Sequence, residues 1–294
     1  MINKVYTVVT EVSKCPDFVF NYITDLSAWW VEEFVGEPLK AGAEFILKMG
    51  ETHFSKNKVL EFVLGKKFVW VTTESKRTLD NFDWTGTKMI FELFPVESGT
   101  KITFTYDGVV FESEEEKLKE ICDYCIKDLL YKCLESFTTT IVVAKPAEQV
   151  FNCITAIPGW WTKDFEGDCK KLNDEFIIDH PGQHYSKQKV IEVIPDKKLA
   201  WLVIESEMPW LQHNKEEWAN TKMIFELSDN NKTTLHFTHF GLVPGLECYD
   251  LCKKGWTMVI NDWLFYFISQ GTSSPDMPKA PAIRENMLSN RMNK

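Results

Sequence analysis

The chain has 294 residues, about twice the usual length of one domain. With 44% apolar and 26% charged side chains it has the composition of an ordinary globular protein, neither disordered nor fibrous. The formal net charge of −10 argues against nucleic acid or an anionic membrane as the main partner, and no apolar run is longer than that at 263–268, which falls far short of the roughly 20 residues a spanning helix needs.

The first residues alternate in the manner of a strand, expected over 5–12, and lack the apolar core of a signal peptide, so a cytoplasmic location is expected. Eight cysteines in a chain this long do not have the density of a disulfide scaffold. The sequon at Asn231-Lys232-Thr233 would matter only in a secreted protein. After the strand, Pro16 opens a helix, with Asp17 suited to the positive end of its dipole. Trp29-Trp30 follow in a short helix or loop. Period-2 segments at 44–48, 55–64, 67–74, 87–94 and 101–106 predict a run of antiparallel strands. A long helix closes the set, with Leu118, Cys122, Cys125, Leu129, Cys133 and Phe137 on one apolar stripe.

The same order then begins again. Val19-Phe20-Asn21-Tyr22-Ile23-Thr24 recurs as Val150-Phe151-Asn152-Cys153-Ile154-Thr155, and Trp29-Trp30 as Trp160-Trp161. His53-Phe54-Ser55-Lys56 recurs as His184-Tyr185-Ser186-Lys187, and Trp70 as Trp201. After a short insertion, the seven residues 87–93 reappear letter for letter as 221–227. Self-similarity of this extent marks a duplication. The second copy has a strand over 139–144, a helix opened by Pro146, and a closing helix with Cys248, Cys252, Trp256, Val259, Trp263 and Phe267 at spacings of three and four. Two homologous domains are therefore expected, 1–137 and 138–271, followed by a flexible tail over 272–294 in which 282–291 is a candidate short helix.

Strand, helix, antiparallel meander and long helix make an α+β domain in which a curved sheet grips one helix. With its motifs, this order resembles the helix-grip fold of the START-like (SRPBCC) superfamily, in the branch named for homology to the activator of the heat-shock-protein-90 ATPase. The second repeat carries the resemblance best, through Gly159-Trp160-Trp161, His184-Tyr185-Ser186-Lys187, the stretch Thr238-His239-Phe240-Gly241-Leu242-Val243-Pro244, and Gly255-Trp256. The first repeat departs from it, with Thr105-Tyr106-Asp107-Gly108 in place of the Thr-His element and Asp128-Leu129 in place of Gly-Trp. The resemblance implies a hydrophobic cavity between sheet and helix and specifies function poorly, because the superfamily hosts carriers, receptors and cyclases.

Strand parity indicates which side chains would face that cavity. Met223 and Phe225 share a face, and Phe237 and His239 share one on the next strand; Met89, Phe91 and Tyr106 are their counterparts. His239 is read either as a polar anchor for a ligand or as a buried histidine satisfied by its neighbours. Gly255, inside a helix, either lets the sheet approach closely, the preferred reading, or leaves room for a ligand. One tryptophan of each doublet anchors its short helix, and the other is a pocket-rim or surface residue. Trp84, Trp210 and Trp218 lie beside a hairpin at the expected mouth. The ligand-binding candidates are thus His239, His184, Trp161, Trp201, Trp218, Met223, Phe225, Phe237, Trp256 and Trp263, with Trp30, Met89, Phe91 and Tyr106 in the first domain. His53 and His184 are read first as shared structural hydrogen bonds.

Cys122, Cys125, Cys248 and Cys252 fall on apolar stripes, where a free thiol is a small hydrophobe, so neither a metal site nor a cofactor is expected. No nucleophile elbow, phosphate loop, dinucleotide turn or HExxH helix is present. The leading expectation is a tandem START-like protein without catalytic machinery that binds a small hydrophobic molecule in its second domain. Two readings stay open beside it. One is a co-chaperone-like interaction module with a protein partner, and the other a cyclase- or hydrolase-type enzyme using His239 as acid or base.

Overall fold

The computed structural model describes residues 2–31, 33–78, 83–229 and 232–277. Within them the chain forms two compact units, the first ending at Glu135 and the second starting at Ser136. The first opens with β1 (Ile2–Val12) and an opening helix (Pro16–Thr24). Six strands follow: β2 (Glu33–Gly36), β3 (Glu44–Met49), β4 (His53–Val63), β5 (Lys67–Arg77), β6 (Lys88–Val96) and β7 (Gly99–Val110). All pairings are antiparallel, in the order β1-β7-β6-β5-β4-β3-β2.

The second unit repeats this with β8 (Phe137–Val143), an opening helix (Ala147–Ile154), β9 (Phe165–Gly167), β10 (Glu175–His180), β11 (His184–Ile194), β12 (Lys198–Glu207), β13 (Lys222–Asp229) and β14 (Thr233–Phe240). Its order, β8-β14-β13-β12-β11-β10-β9, is the same topology. Each unit is an α+β domain in which a seven-stranded antiparallel sheet packs on a closing helix, so the chain is a tandem duplication of one fold.

Alternation explains the sheets. On β14, Leu235, Phe237 and His239 are all fully buried, and they register against Leu227, Phe225 and Met223 of β13. Ile102, Phe104 and Tyr106 do the same on β7. The register between β4 and β5 shifts at Lys56/Asn57 and Val59/Glu61, and that between β11 and β12 at Lys187/Gln188 and Val190/Glu192. Paired bulges at matching places bend each sheet round its helix. The short edge strands β2 and β9 carry no clear alternation and fall in stretches that the sequence reads only as following the tryptophan doublets. Each ends on a glycine at positive φ; a Cβ at Gly167 (φ +107°) would lie 2.4 Å from the Glu175 carbonyl oxygen.

The closing helices differ from expectation in one respect. In the first unit the buried stripe is Leu118, Cys122, Ile126, Leu130 and Leu134, at uniform steps of four. The second has Trp256, Ile260, Leu264 and Ile268, preceded at the same step by half-buried Cys252 and, just before the helix, by buried Cys248. An α-helix turns every 3.6 residues, so a stripe of strict fours drifts off one face. Each helix corrects the drift with a wider π-helical stretch, Tyr124–Leu130 in the first and Val259–Leu264 in the second. The expected first stripe through Cys125, Leu129 and Cys133 is therefore displaced by one residue, and Phe137 begins β8 opposite His239 instead of ending a helix.

Gly271, at positive φ, ends the second helix, yet Met277 is buried in the second core, so 272–277 belong to the packed unit and not to a flexible tail. The remainder of the expected tail, with the candidate helix 282–291, lies outside the described residues, as does Asn231 of the sequon. Among the described residues no helix is long and apolar enough to cross a membrane.

Candidate functional site

In the second unit, the sheet and the closing helix (Tyr249–Met258, continuing through the π stretch to Gln270) leave a cavity of about 140 Å³ between them. Trp161, His184, Trp218, Trp256 and Trp263 line it, all of them expected there. So do Trp210 and Met208 from the hairpin after β12, His180 and Gln183 beside β10, and Leu251, Cys252, Gly255, Met258 and Val259 from the helix. The matching space in the first unit is only about 20 Å³, bounded by Trp30, Met89, Phe91 and Tyr106 among others. The larger volume approaches the ~150 Å³ of an apolar protein cavity that takes up benzene or xenon, whereas the smaller has room for about one water.

Gly255 accounts for much of the difference. Matched by their π stretches and the ends of their buried stripes, the closing helices pair Leu118 with Cys252, Cys122 with Trp256 and Ile126 with Ile260, so Ile121 stands where the second unit has Gly255. Ile121 lines the first cavity. At Gly255 an added Cβ would meet nothing within 4 Å. The glycine leaves room and does not serve a close approach of the sheet, which overturns the preferred expectation. It also corrects the motif alignment: Ile121-Cys122, and not Asp128-Leu129, stands where Gly255-Trp256 stands, and Asp128 is exposed and ion-paired to Lys132.

The tryptophan doublets divide their work as adjacent residues diverging round a helix must. Trp160 is fully buried and donates its indole N–H to the Ile154 carbonyl at 3.1 Å; Trp29 does the same to Ile23 at 3.4 Å. Trp161 stacks on Trp160 at 5.9 Å and approaches Trp256 at 4.9 Å, so it forms cavity wall. None of the eleven tryptophans is exposed.

His239 is not a cavity residue. It is fully buried, and its Nδ1 accepts the Trp256 indole N–H at 2.8 Å. An indole nitrogen can only donate, so the proton sits on Nε2, which donates to Thr221 Oγ1 at 2.9 Å; that hydroxyl in turn donates to the Trp218 carbonyl at 2.6 Å. Burial, and secondarily the neighbouring His184, push its pKa down to about 3, so it is neutral. The satisfied-histidine reading holds, and the polar-anchor reading fails at this residue. Trp201, Met223, Phe225 and Phe237 are likewise sealed into the sheet wall, because Trp256 lies over Phe237 at 4.8 Å and fills the space they would otherwise face. In the first unit Tyr106 holds the place of His239, buried, with its hydroxyl donating to the Val109 carbonyl at 3.4 Å.

Of the polar side chains that line the cavity, His184 is the one hydrogen-bonded back into the sheet. Its Nε2 lies 2.8 Å from Ser186 Oγ, the structural hydrogen bond expected of it. Beyond Ser186 stands Gln188, and both are fully buried. The Gln188 amide donates to the backbone carbonyls of Ser186 and Phe176 at 3.2 and 3.0 Å, while its carbonyl accepts from Ser186 Oγ at 2.5 Å. The serine proton is thereby committed to Gln188, so His184 must donate from Nε2, leaving Nδ1 as an acceptor. Burial, with a contribution from His180, holds this imidazole near 3 and therefore neutral. His180 itself sits 3.2 Å from the Asp164 carboxylate. Nothing in the sequence flagged His180, Gln183 or Met208, because they come from turns and a hairpin whose course only the fold defines.

The hairpin carrying Met208, Trp210 and Trp218 is clipped to the start of the closing helix by two reciprocal carboxylates. Glu217 accepts from the backbone N–H groups of Glu247 and Cys248 at 2.9 and 2.8 Å. Glu247 accepts from those of Gln212 and His213 at 3.0 to 3.2 Å. Among the cysteines, burial pushes the Cys122 thiol up to about 12 and Cys125 to about 11, which disfavours the thiolate a metal would need.

Fold and site together define a class, a tandem helix-grip protein with one open and one closed cavity. No protein-family model matches the chain, and no curated protein does. Solved structures similar to it include the Aha1 dimer from Colwellia psychrerythraea, at 21% identity and a TM-score of 0.39 over 46% of this chain and 97% of that one. Protein MLL2253 from Mesorhizobium loti matches at 16% identity and 0.39, over 45% and 96%. DynU16, from the dynemicin biosynthetic locus, matches at 14% identity and 0.36, over 92% of this chain and 95% of its own.

Proposed function

We propose that this protein is a non-enzymatic binder of a small, largely apolar molecule, held in the cavity of its second domain. The observation that carries this reading is the contrast between the two copies: the same fold is filled by side chains in the first and left open beside Gly255 in the second. A helix-interior glycine costs about 1 kcal/mol relative to alanine, and here no steric contact demands it. At about 140 Å³ the space suits a single ring and is too small for a lipid or a polycyclic molecule, whose pockets run from about 300 Å³ upward. Apolar burial, at about 25 cal/mol per Å², supplies the affinity.

The acid–base reading loses its residue, because both nitrogens of His239 are engaged and no titratable partner touches them. The interaction-module reading, which rests on the family resemblance and on exposed aromatic candidates, gains no support from the tryptophans, none of which is exposed. Calorimetric titration with toluene tests the proposal. Saturable binding that Gly255→Leu abolishes is expected, and no heat beyond dilution in the unaltered protein would reject it.

A further inference from the structure

We infer that the occupant of the second cavity is a neutral, single-ring molecule bearing a hydrogen-bond donor, of the phenol or aromatic-amine class, with that donor directed to Nδ1 of His184. This rests on the ligand-binding reading above and goes on to assign the chemistry. Three observations lead to it.

The first is electrostatic. No Lys, Arg, Asp or Glu lines the cavity. His184 carries no charge at neutral pH, and His180 is matched by Asp164. A carboxylate or an ammonium placed there would be desolvated without a counter-charge.

The second is the relay behind His184. With Gln188 anchored on two backbone carbonyls and Ser186 donating to Gln188, the imidazole can donate only through Nε2, and Nδ1 is the one ring nitrogen that the relay leaves unengaged. A half-buried acceptor lone pair on a predominantly apolar wall selects for a donor, because a ligand without one strips its water and replaces nothing. A hydroxyl or amino group on the ring meets that need.

The third is the arrangement of the indoles. An aromatic box for a quaternary ammonium presents ring faces to its centre. Here the faces are spent on each other: Trp161 meets Trp256 at 4.9 Å, and Trp256 stacks on Trp218 at 5.8 Å with 19° between planes. Trp218 in turn meets the His184 ring edge to face at 4.5 Å. Such walls accept a flat ring by dispersion and edge contacts and offer little to a cation.

Calorimetric titration with four matched probes (phenol, toluene, benzoate and tetramethylammonium) tests the assignment. Phenol is expected to bind about tenfold more tightly than toluene, the effect of one well-made hydrogen bond, with no binding of benzoate or tetramethylammonium. In His184→Phe the gap between phenol and toluene closes while a ring is still bound. Equal affinities for phenol and toluene in the unaltered protein, or a preference for either ion, would overturn the assignment and leave the cavity reading standing. Failure of all four probes would reject the ligand-binding reading itself. The comparison on unaltered protein decides the matter even if the substituted chain does not fold.

Discussion

Gly255 lies in the second closing helix and Gly159 packs against its far end, yet they respond to the same substitution with opposite signs. At Gly255 a methyl group meets open space, so Gly255→Ala raises the stability of the second domain by about 1 kcal/mol, read as a higher denaturation midpoint, while weakening ligand binding. At Gly159 an added Cβ would sit 2.3 to 2.8 Å from the ring carbons of Phe267. Gly159→Ala therefore destabilises by about 1–3 kcal/mol, and combining it with Phe267→Leu recovers part of the loss in a double-mutant cycle. Both glycines were visible in the sequence as parts of glycine–tryptophan motifs. Their opposite roles were not, because periodicity shows which face a residue occupies and says nothing of the distance to whatever lies opposite. His239 teaches the same lesson: parity placed it inward, but only the fold shows that the Trp256 indole caps it. Its pKa, about 3 when folded and about 6.5 when unfolded, gives a definite sign. Between these values the unfolded chain binds the extra proton, so stability is complete above about pH 6.5 and falls as pH drops, by about 1.4 kcal/mol per unit for this residue. His184 adds in the same direction. Chemical denaturation at pH 7 and pH 5 checks this, with His239→Asn, which keeps an acceptor for Trp256, expected to show the shallower loss.

At the scale of elements, strand periodicity made the long strands and both closing helices legible, since each buries one face and leaves the other wet. The edge strands β2 and β9 escaped, being three or four residues long with little buried on either side. The π stretches escaped because a pattern read at 3.6 residues per turn cannot register a local widening; the uniform steps of four in Cys248, Cys252, Trp256, Ile260, Leu264 and Ile268 were the available sign. The hairpin over the cavity was legible only as a tryptophan-bearing turn. Its two carboxylate clips join residues some thirty positions apart in sequence. Removing one exposes that join: Glu247→Ala is expected to speed amide hydrogen exchange at Gln212 and His213 severalfold and to accelerate ligand entry and release, with little change in global stability. Unchanged exchange at both amides would mean that the clip does not hold the hairpin closed.

The whole molecule is a duplicated packing scheme in which one copy diverged at its centre. Most of the aromatic excess is shared structure: doublets at Trp29-Trp30 and Trp160-Trp161, strand residues Trp70 and Trp201, hairpin residues Trp84 and Trp218. The unmatched tryptophans, Trp210, Trp256 and Trp263, all line the second cavity. The first domain, with Ile121 where the second has Gly255, serves as an internal control, and Ile121→Gly should lower its stability while enlarging its small internal space. The central claim, that a single preformed site exists and that Gly255 keeps it open, is tested most directly by following a toluene titration by NMR on the intact chain. The account predicts one equivalent bound, shift changes at Trp218, Cys252 and Trp256 with none at Trp30 or Cys125, and loss of all of them in Gly255→Leu. Equal perturbation of both domains, or saturation that survives Gly255→Leu, would contradict it.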